Sequence, residues 1–220
     1  MYIIKDNLHK IKSSLPKEVT LIAVTKTHPP EKLMEVYNAG HKIFGENKVQ
    51  EMCDKYEILP KDIQWHLIGH LQSNKVKYIA PFVSLIHSVD SMKLLQEINK
   101  QAVKNNRIID CLLQIYIADE DTKFGLSFEE AETLISSEDL KQLKNIRITG
   151  FMGMASNTDD QAQIRTEFRS LKQFFDKHSS QLTFNFSLLT ISMGMSSDYP
   201  IAIEEGSTMI RVGSSIFGSR

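Results

Sequence analysis

Lys26 closes the apolar run Val19-Thr20-Leu21-Ile22-Ala23-Val24-Thr25. Far along the chain, Met193-Gly194-Met195-Ser196 and Gly206-Ser207-Thr208-Met209-Ile210-Arg211-Val212-Gly213-Ser214 form two glycine-containing turns, each entered from an apolar run, with Arg211 between them. Glycine lacks the Cβ that blocks close approach, so such turns let successive backbone N–H groups converge on an anion. A phosphate is the natural guest. A lysine at a strand end adds an amine that can attack an aldehyde.

An aldehyde that carries a phosphate satisfies both features, and pyridoxal phosphate held as a Schiff base on Lys26 is the expected ligand. A free lysine amine titrates at about 10.4, so it reacts readily at neutral pH only when desolvated or set beside another cation. The end of a buried strand supplies the first condition and Arg211 the second. Taken by position alone, Lys26 is more simply read as a lysine leaving a strand to meet a carboxylate; the phosphate turns reverse that reading. Arg211 interrupts an apolar run and must be paired or bound. It either donates to the pyridine nitrogen of the cofactor or forms an ion pair across the mouth. Ser192, Gly194, Gly213 and Ser214 are the candidates for the phosphate oxygens, and Ser196-Ser197-Asp198 is read as the start of a short helix whose dipole helps. Asn47 either hydrogen-bonds the ring or caps a helix at 48–58.

Other chemistry-bearing residues are given bland readings. His66 and His70 have the spacing of helical metal ligands, but Gly69 interrupts and His66 falls in a strand pattern, so no metal is expected. His28 is expected to point away before Pro29-Pro30. Lys123 is read as a solvated loop lysine rather than a second cofactor lysine. Met152, Met154, Met193 and Met195 are read as packing around the site, where they line a slot for an apolar ring.

These residues need elements to carry them. Short apolar runs at 19–25, 42–45, 63–68, 83–88, 109–117, 146–152, 187–192 and 208–213 read as eight buried parallel strands. Between them lie helical patterns: one opened by Pro29-Pro30-Glu31 and running to Gly40, one capped by Ser91, one near 128–136, and one with the stripe Ile164, Phe168, Leu171, Phe175. Polar and glycine residues recur just past most strands, which predicts one shared mouth. The expected fold class is therefore an α/β (β/α)₈ barrel in a single domain spanning 1–220, with 1–18 as an N-terminal helical extension. An open doubly wound sheet is the rival and would instead offer one crevice at a strand-order switch.

Composition narrows the function classes. The chain has 220 residues and a formal net charge of −1 from 26 basic and 27 acidic side chains, a balance that argues against a nucleic-acid groove. Cys53 and Cys111 fit neither a redox pair nor a zinc cluster. The N-terminal residues do not resemble a secretory signal, and no run approaches membrane-spanning length, so a cytoplasmic location is expected.

The segments Ala23-Val24-Thr25-Lys26, Phe44-Gly45-Glu46-Asn47-Lys48-Val49-Gln50-Glu51 and Trp65-His66-Leu67-Ile68-Gly69-His70-Leu71-Gln72-Ser73-Asn74-Lys75 resemble those of the pyridoxal phosphate homeostasis proteins. So do His87-Ser88-Val89-Asp90, Ser192-Met193-Gly194-Met195-Ser196 and Glu205-Gly206-Ser207-Thr208-Met209-Ile210-Arg211-Val212-Gly213. The likeness runs from about Leu21 to Gly218. It implies a barrel similar to the N-terminal domain of alanine racemase, with Lys26 carrying the cofactor, Arg211 facing the ring nitrogen, and Ser192, Gly194, Gly213 and Ser214 on the phosphate. It also implies a protein that buffers pyridoxal phosphate or delivers it to client enzymes, rather than an enzyme; a monomer is expected. Phe151-Met152-Gly153-Met154-Ala155-Ser156 departs from the proline-containing version of the family.

A low-activity amino-acid racemase is the alternative. Racemisation needs bases on opposite faces of a planar carbanion. In the resembling racemases a tyrosine from a second, β-rich domain serves one face; no such domain is expected here, and Tyr199 is read as a packing residue. A sugar-phosphate barrel enzyme without the cofactor is a further option.

Overall fold

The computed structural model describes residues 3–119, 124–181 and 183–218. Lys123 and most of the acidic loop before it lie outside the described residues. Eight strands alternate with helices: β1 Thr20–Val24, β2 Ile43–Glu46, β3 Gln64–Leu67, β4 Leu85–Val89, β5 Ile109–Gln114, β6 Ile146–Met152, β7 Phe186–Ser192 and β8 Met209–Val212. The helices are α1 Ile3–Ser14, α2 Pro30–Asn38, α3 Val49–Ile58, α4 Val76–Ile79, α5 Met92–Lys104, α6 Phe128–Ile135, α7 Glu138–Gln142, α8 Gln161–His178, α9 Tyr199–Glu204 and α10 Ser214–Phe217. All strand pairs are parallel and the sheet closes in sequence order, β1 through β8, which excludes the open-sheet rival.

Closure is the step that builds the mouth. β1 pairs with β8 so that Leu21 faces Ile210 and Ile22 faces Arg211. The residues that follow both strands, Lys26 on one side and Gly213 on the other, therefore emerge at one rim. The strands are buried on both faces, as their continuous apolar runs require; every residue of β4 and β8 is buried. β5 stops three residues short of the sequence reading. Ile115 donates its N–H to the Met152 carbonyl (2.8 Å), but Tyr116 turns to donate to Leu126 (2.8 Å), so the chain leaves the sheet there.

Local signals explain the helices. Proline starts α2, and Gly40 at φ 81° ends the turn after it. Ser91 caps α5 by accepting from the Leu94 N–H, and Asp160 caps α8 by accepting from Ala162 and Gln163. The buried stripe of α8 is Ile164, Phe168, Leu171 and Phe174, with Phe175 only partly covered. α1 buries Ile4, Leu8 and Ile11, and Asn7 Nδ2 donates to the Ile216 carbonyl (3.1 Å), tying it to α10 beside the rim. Among the described residues no helix is long and apolar enough to cross a membrane.

The core has two parts. The larger lies between the sheet and the helices and includes Trp65, whose ring meets Phe44 edge-on at 5.9 Å. The smaller, Ile22, Leu85, Leu112, Met152 and Met209, draws on five strands around the barrel and fills its interior. A polar chain also crosses this interior. His66 Nδ1 lies 3.0 Å from His87 Nε2, and His87 Nδ1 lies 3.0 Å from Ser192 Oγ. β4 and β7 are not neighbours, so the second contact spans the barrel interior.

Burial holds these imidazoles neutral. His66 is pushed down to about 3 by desolvation, and His87 well below its ordinary value by desolvation and then by the charges of His66 and Arg211. His41, buried against the Ile43 carbonyl, is lowered to about 4 by desolvation and then by Lys12. In the unfolded chain all three titrate near 6.5. The unfolded state therefore binds more protons below that pH, and the contribution present above about 6.5 is lost as pH falls toward 4. We expect folding stability to drop by up to about 4 kcal/mol per pH unit between about pH 6 and 5. Urea unfolding at pH 7.5, 6 and 5 measures it; equal stability at all three would contradict neutral burial.

Candidate functional site

A cavity of about 540 Å³ opens at the C-terminal rim of the barrel. Loops from several strands meet in it, as this architecture dictates. Lys26 comes from the end of β1, Asn47 from β2, Arg211 from β8, and Gly213 and Ser214 from the turn into α10. Five of the seven sequence-selected residues are thus brought around one space. Val24, Ile68 and Met154 give it apolar walls.

Arg211 is the best-anchored of these groups. It is only 4% exposed. Nη1 donates to the Ser192 carbonyl (2.8 Å) and to Ser192 Oγ (2.7 Å), and Nη2 donates to the Gly153 carbonyl (3.0 Å). Desolvation lowers its pKa to about 10, partly offset by the charge of Asp198, so it remains a cation at neutral pH. Arginine only donates, so the Ser192 hydroxyl accepts from Nη1, and it shares a second hydrogen bond with His87 Nδ1. His87 Nε2 in turn shares one with His66 Nδ1. A continuous chain of hydrogen bonds therefore runs from Arg211 across the barrel to His66.

Two expected phosphate residues do not reach the cavity. Ser192 is fully buried inside the barrel, and its hydroxyl is engaged by Arg211 and His87. Gly194 is a glycine for another reason. It sits at φ 97°, and a Cβ there would lie 2.7 Å from Ala202 Cβ and 2.9 Å from Tyr199 Cα. Its role is a tight packing of the turn against α9, and its carbonyl accepts from the Arg211 N–H (3.0 Å). The expected helix start at Ser196-Ser197-Asp198 also needs correction. α9 begins at Tyr199, spans six residues, and has the acidic Asp198 at its N-cap, where a carboxylate repels an anion.

Another serine of the same turn, Ser196, is placed differently. It lines the cavity, and its hydroxyl accepts from the Gly213 N–H (3.1 Å) and the Ser215 N–H (3.4 Å). Backbone donors of the β8–α10 turn therefore already converge on one oxygen. A Cβ on Gly213 would meet only Val24 at 3.4 Å, an ordinary contact, so the surrounding protein leaves that face of the turn open.

Asn47 does not cap α3; Lys48 is the N-cap residue and makes no side-chain cap bond. Asn47 Oδ1 is instead buried at the cavity with no hydrogen-bond partner among the described residues, a costly state that a ligand donor would relieve. His28 also lines the cavity and stacks on Phe217 at 4.4 Å, contrary to the expectation that it points away. The reason is local: Thr27 at φ 65° folds the chain back, and the His28 N–H donates to the Thr25 carbonyl (3.1 Å). Met154 and Met195 line the cavity, whereas Met152 packs in the barrel interior and Met193 in the outer core. His66 and His70 are not brought together: His66 bonds His87, and His70 stacks on Phe124 at 4.4 Å.

An amine, a fixed cation, an orphaned acceptor, converging backbone donors and apolar walls fit a flat aromatic aldehyde bearing a phosphate. The comparisons with known proteins agree. The family described as alanine racemase, N-terminal domain, matches residues 3–220. The pyridoxal phosphate homeostasis protein of Aquifex aeolicus is 42% identical over 201 residues, covering 91% of this chain and 86% of that one. PipY of Synechococcus elongatus, solved with PLP bound, superposes with a TM-score of 0.87 at 36% identity, over 98% of this chain and all of that one. An alanine racemase of Clostridium difficile aligns with a TM-score of 0.79 over 99% of this chain and 57% of that one, but at 14% identity it speaks for the fold alone. By a match across nearly its whole length, the chain belongs to the alanine racemase N-terminal domain family and, within it, to the pyridoxal phosphate homeostasis proteins.

Proposed function

We propose that this protein binds pyridoxal 5'-phosphate at the barrel mouth, covalently at Lys26, and buffers it or delivers it to client enzymes as a cytoplasmic monomer. The observation that carries the reading is the meeting of Lys26, Arg211 and the Gly213–Ser215 amides around one cavity. When bound, pyridoxal phosphate would supply an aldehyde, an electrophile open to a primary amine such as that of Lys26.

Each residue then has a task. Lys26 provides the nitrogen. The Gly213 and Ser215 N–H groups, with the Ser196 and Ser214 hydroxyls, hold the phosphate. Asn47 hydrogen-bonds the ring substituents. Arg211 faces the ring nitrogen as a donor that stays charged, which disfavours protonation of that nitrogen and weakens the ring as an electron sink. Ser192 acts at one remove by anchoring Arg211. A weak electron sink supports storage over turnover. So does the lining: among the described residues no tyrosine lines the cavity to act opposite Lys26.

Lys26→Ala should lose the visible absorption of the linked cofactor and bind it at least about tenfold more weakly. Borohydride reduction and peptide mass spectrometry should place the adduct of the unmutated protein on Lys26; an adduct on another lysine, or none, would refute the reading. Incubation with L-alanine and chiral analysis should show no sustained racemisation, and multiple turnovers would instead favour the racemase. Ser196→Ala removes one hydrogen bond to a charged phosphate, a loss of about 1.5 kcal/mol, or roughly tenfold in affinity. Pyridoxal, which lacks the phosphate, should be unaffected by it. Equal losses for both compounds would move the phosphate away from Ser196.

A further inference from the structure

A buried ionic cluster lies directly behind the lysine. Lys55, on α3, is only 5% exposed. Its ammonium donates to Glu46 Oε1 (2.6 Å), to Glu51 Oε1 (2.7 Å) and to the carbonyl of Thr25 (2.8 Å). The Thr25 hydroxyl donates to the same Glu46 oxygen (2.6 Å), and the Thr27 N–H donates to the same Glu51 oxygen (2.5 Å). Both residues that flank Lys26 are therefore held by one three-residue unit.

The backbone between them is strained. With the His28 N–H closing on the Thr25 carbonyl, Thr25 to His28 form a turn whose third residue, Thr27, sits at φ 65°. Glycine or asparagine ordinarily fills that position, and a β-branched residue there costs about 1–2 kcal/mol. Such a conformation persists only where its surroundings over-determine it. Glu51 on the Thr27 N–H and Lys55 on the Thr25 carbonyl do so.

Stability alone does not account for the cluster. A buried ion pair can usually be replaced by apolar residues of similar volume at no cost. Glu46 also leaves Oε2 buried without a partner among the described residues, an arrangement that adds nothing to folding. Its yield is geometric, because it fixes the peptide units on either side of Lys26.

We propose that Lys55, with Glu46 and Glu51, is a positioning unit that aims the Lys26 amine into the cavity. This rests on the proposed attachment of pyridoxal phosphate to Lys26. Lys55 touches no reacting atom; it acts through the turn. Without the unit, the turn relaxes and the amine no longer meets the aldehyde carbon, while the phosphate cradle on β8 and α10 stays intact.

Two ligands separate these effects. Pyridoxal 5'-phosphate reports the cradle and the covalent link together, and pyridoxine 5'-phosphate, which has no aldehyde, reports the cradle alone. The test uses Glu46→Gln/Lys55→Met, which removes one charge of each sign, and Glu51→Ala, which is partly exposed and provides the folded variant if the double one fails. In folded variants, pyridoxine phosphate affinity should stay within about twofold of the unmutated protein. Pyridoxal phosphate affinity and the borohydride-trapped fraction at Lys26 should fall at least about fivefold. Equal losses for both ligands, or an undiminished trapped fraction, would overturn the positioning role and leave Lys26 attachment standing. An unmutated protein with no adduct on Lys26 would overturn both.

Discussion

The register between the first and last strands governs everything at the rim. Pairing Ile22 with Arg211 closes the barrel and places the residue after β1 opposite the turn after β8. A nucleophile near the start of the chain and anion donors near its end become neighbours through backbone hydrogen bonds alone. A shift of one residue would turn Arg211 from the barrel interior to the outer face, because side chains alternate along a strand. The continuous burial of β1 and β8 on both faces resists that slip less than an alternating pattern would. Arg211 itself supplies the discrimination, since only one register lets its guanidinium reach the Ser192 and Gly153 carbonyls.

That guanidinium is held on carbonyls and a hydroxyl rather than by a hydrogen-bonded carboxylate. Its charge is therefore only partly offset, and it stays available to a ligand at the mouth. Below it, the Ser192–His87–His66 chain carries the hydrogen bonding on across the barrel interior. Buried polar networks rigidify their surroundings when fully satisfied, and incomplete ones are costly. The barrel interior thus combines an apolar plug with a polar layer under the cavity floor, and burial keeps the histidines of that layer neutral so that Arg211 is its one cation.

Much of this was legible in the sequence. The strands announced themselves as apolar runs, and their ends marked the rim, because parallel strands buried on both faces leave little room for polar residues except at the mouth. Lys26, Asn47, Arg211, Gly213 and Ser214, selected on that logic, all line one cavity. What failed was the direction of side chains within a turn. Ser192 and Ser196 are both serines beside Gly194, yet the first points into the barrel interior and the second onto the Gly213 amide, and composition carries no record of that difference. Gly194 looked like a phosphate glycine but answers to the packing of Ala202 and Tyr199. His28 was misjudged because the left-handed backbone of Thr27 is invisible in a residue type that rarely adopts it. Lys55 was missed altogether and Glu46 was read only as a polar residue at a strand end; only the fold places them behind Lys26.

The most direct measurement is a crystal structure of the protein grown with pyridoxal 5'-phosphate. The account predicts continuous density from Lys26 Nζ to the cofactor, the phosphate on the Gly213 and Ser215 amides with Ser196, and the ring nitrogen toward Arg211. Density joined to a different side chain, or a phosphate seated away from the β8–α10 turn, would contradict it.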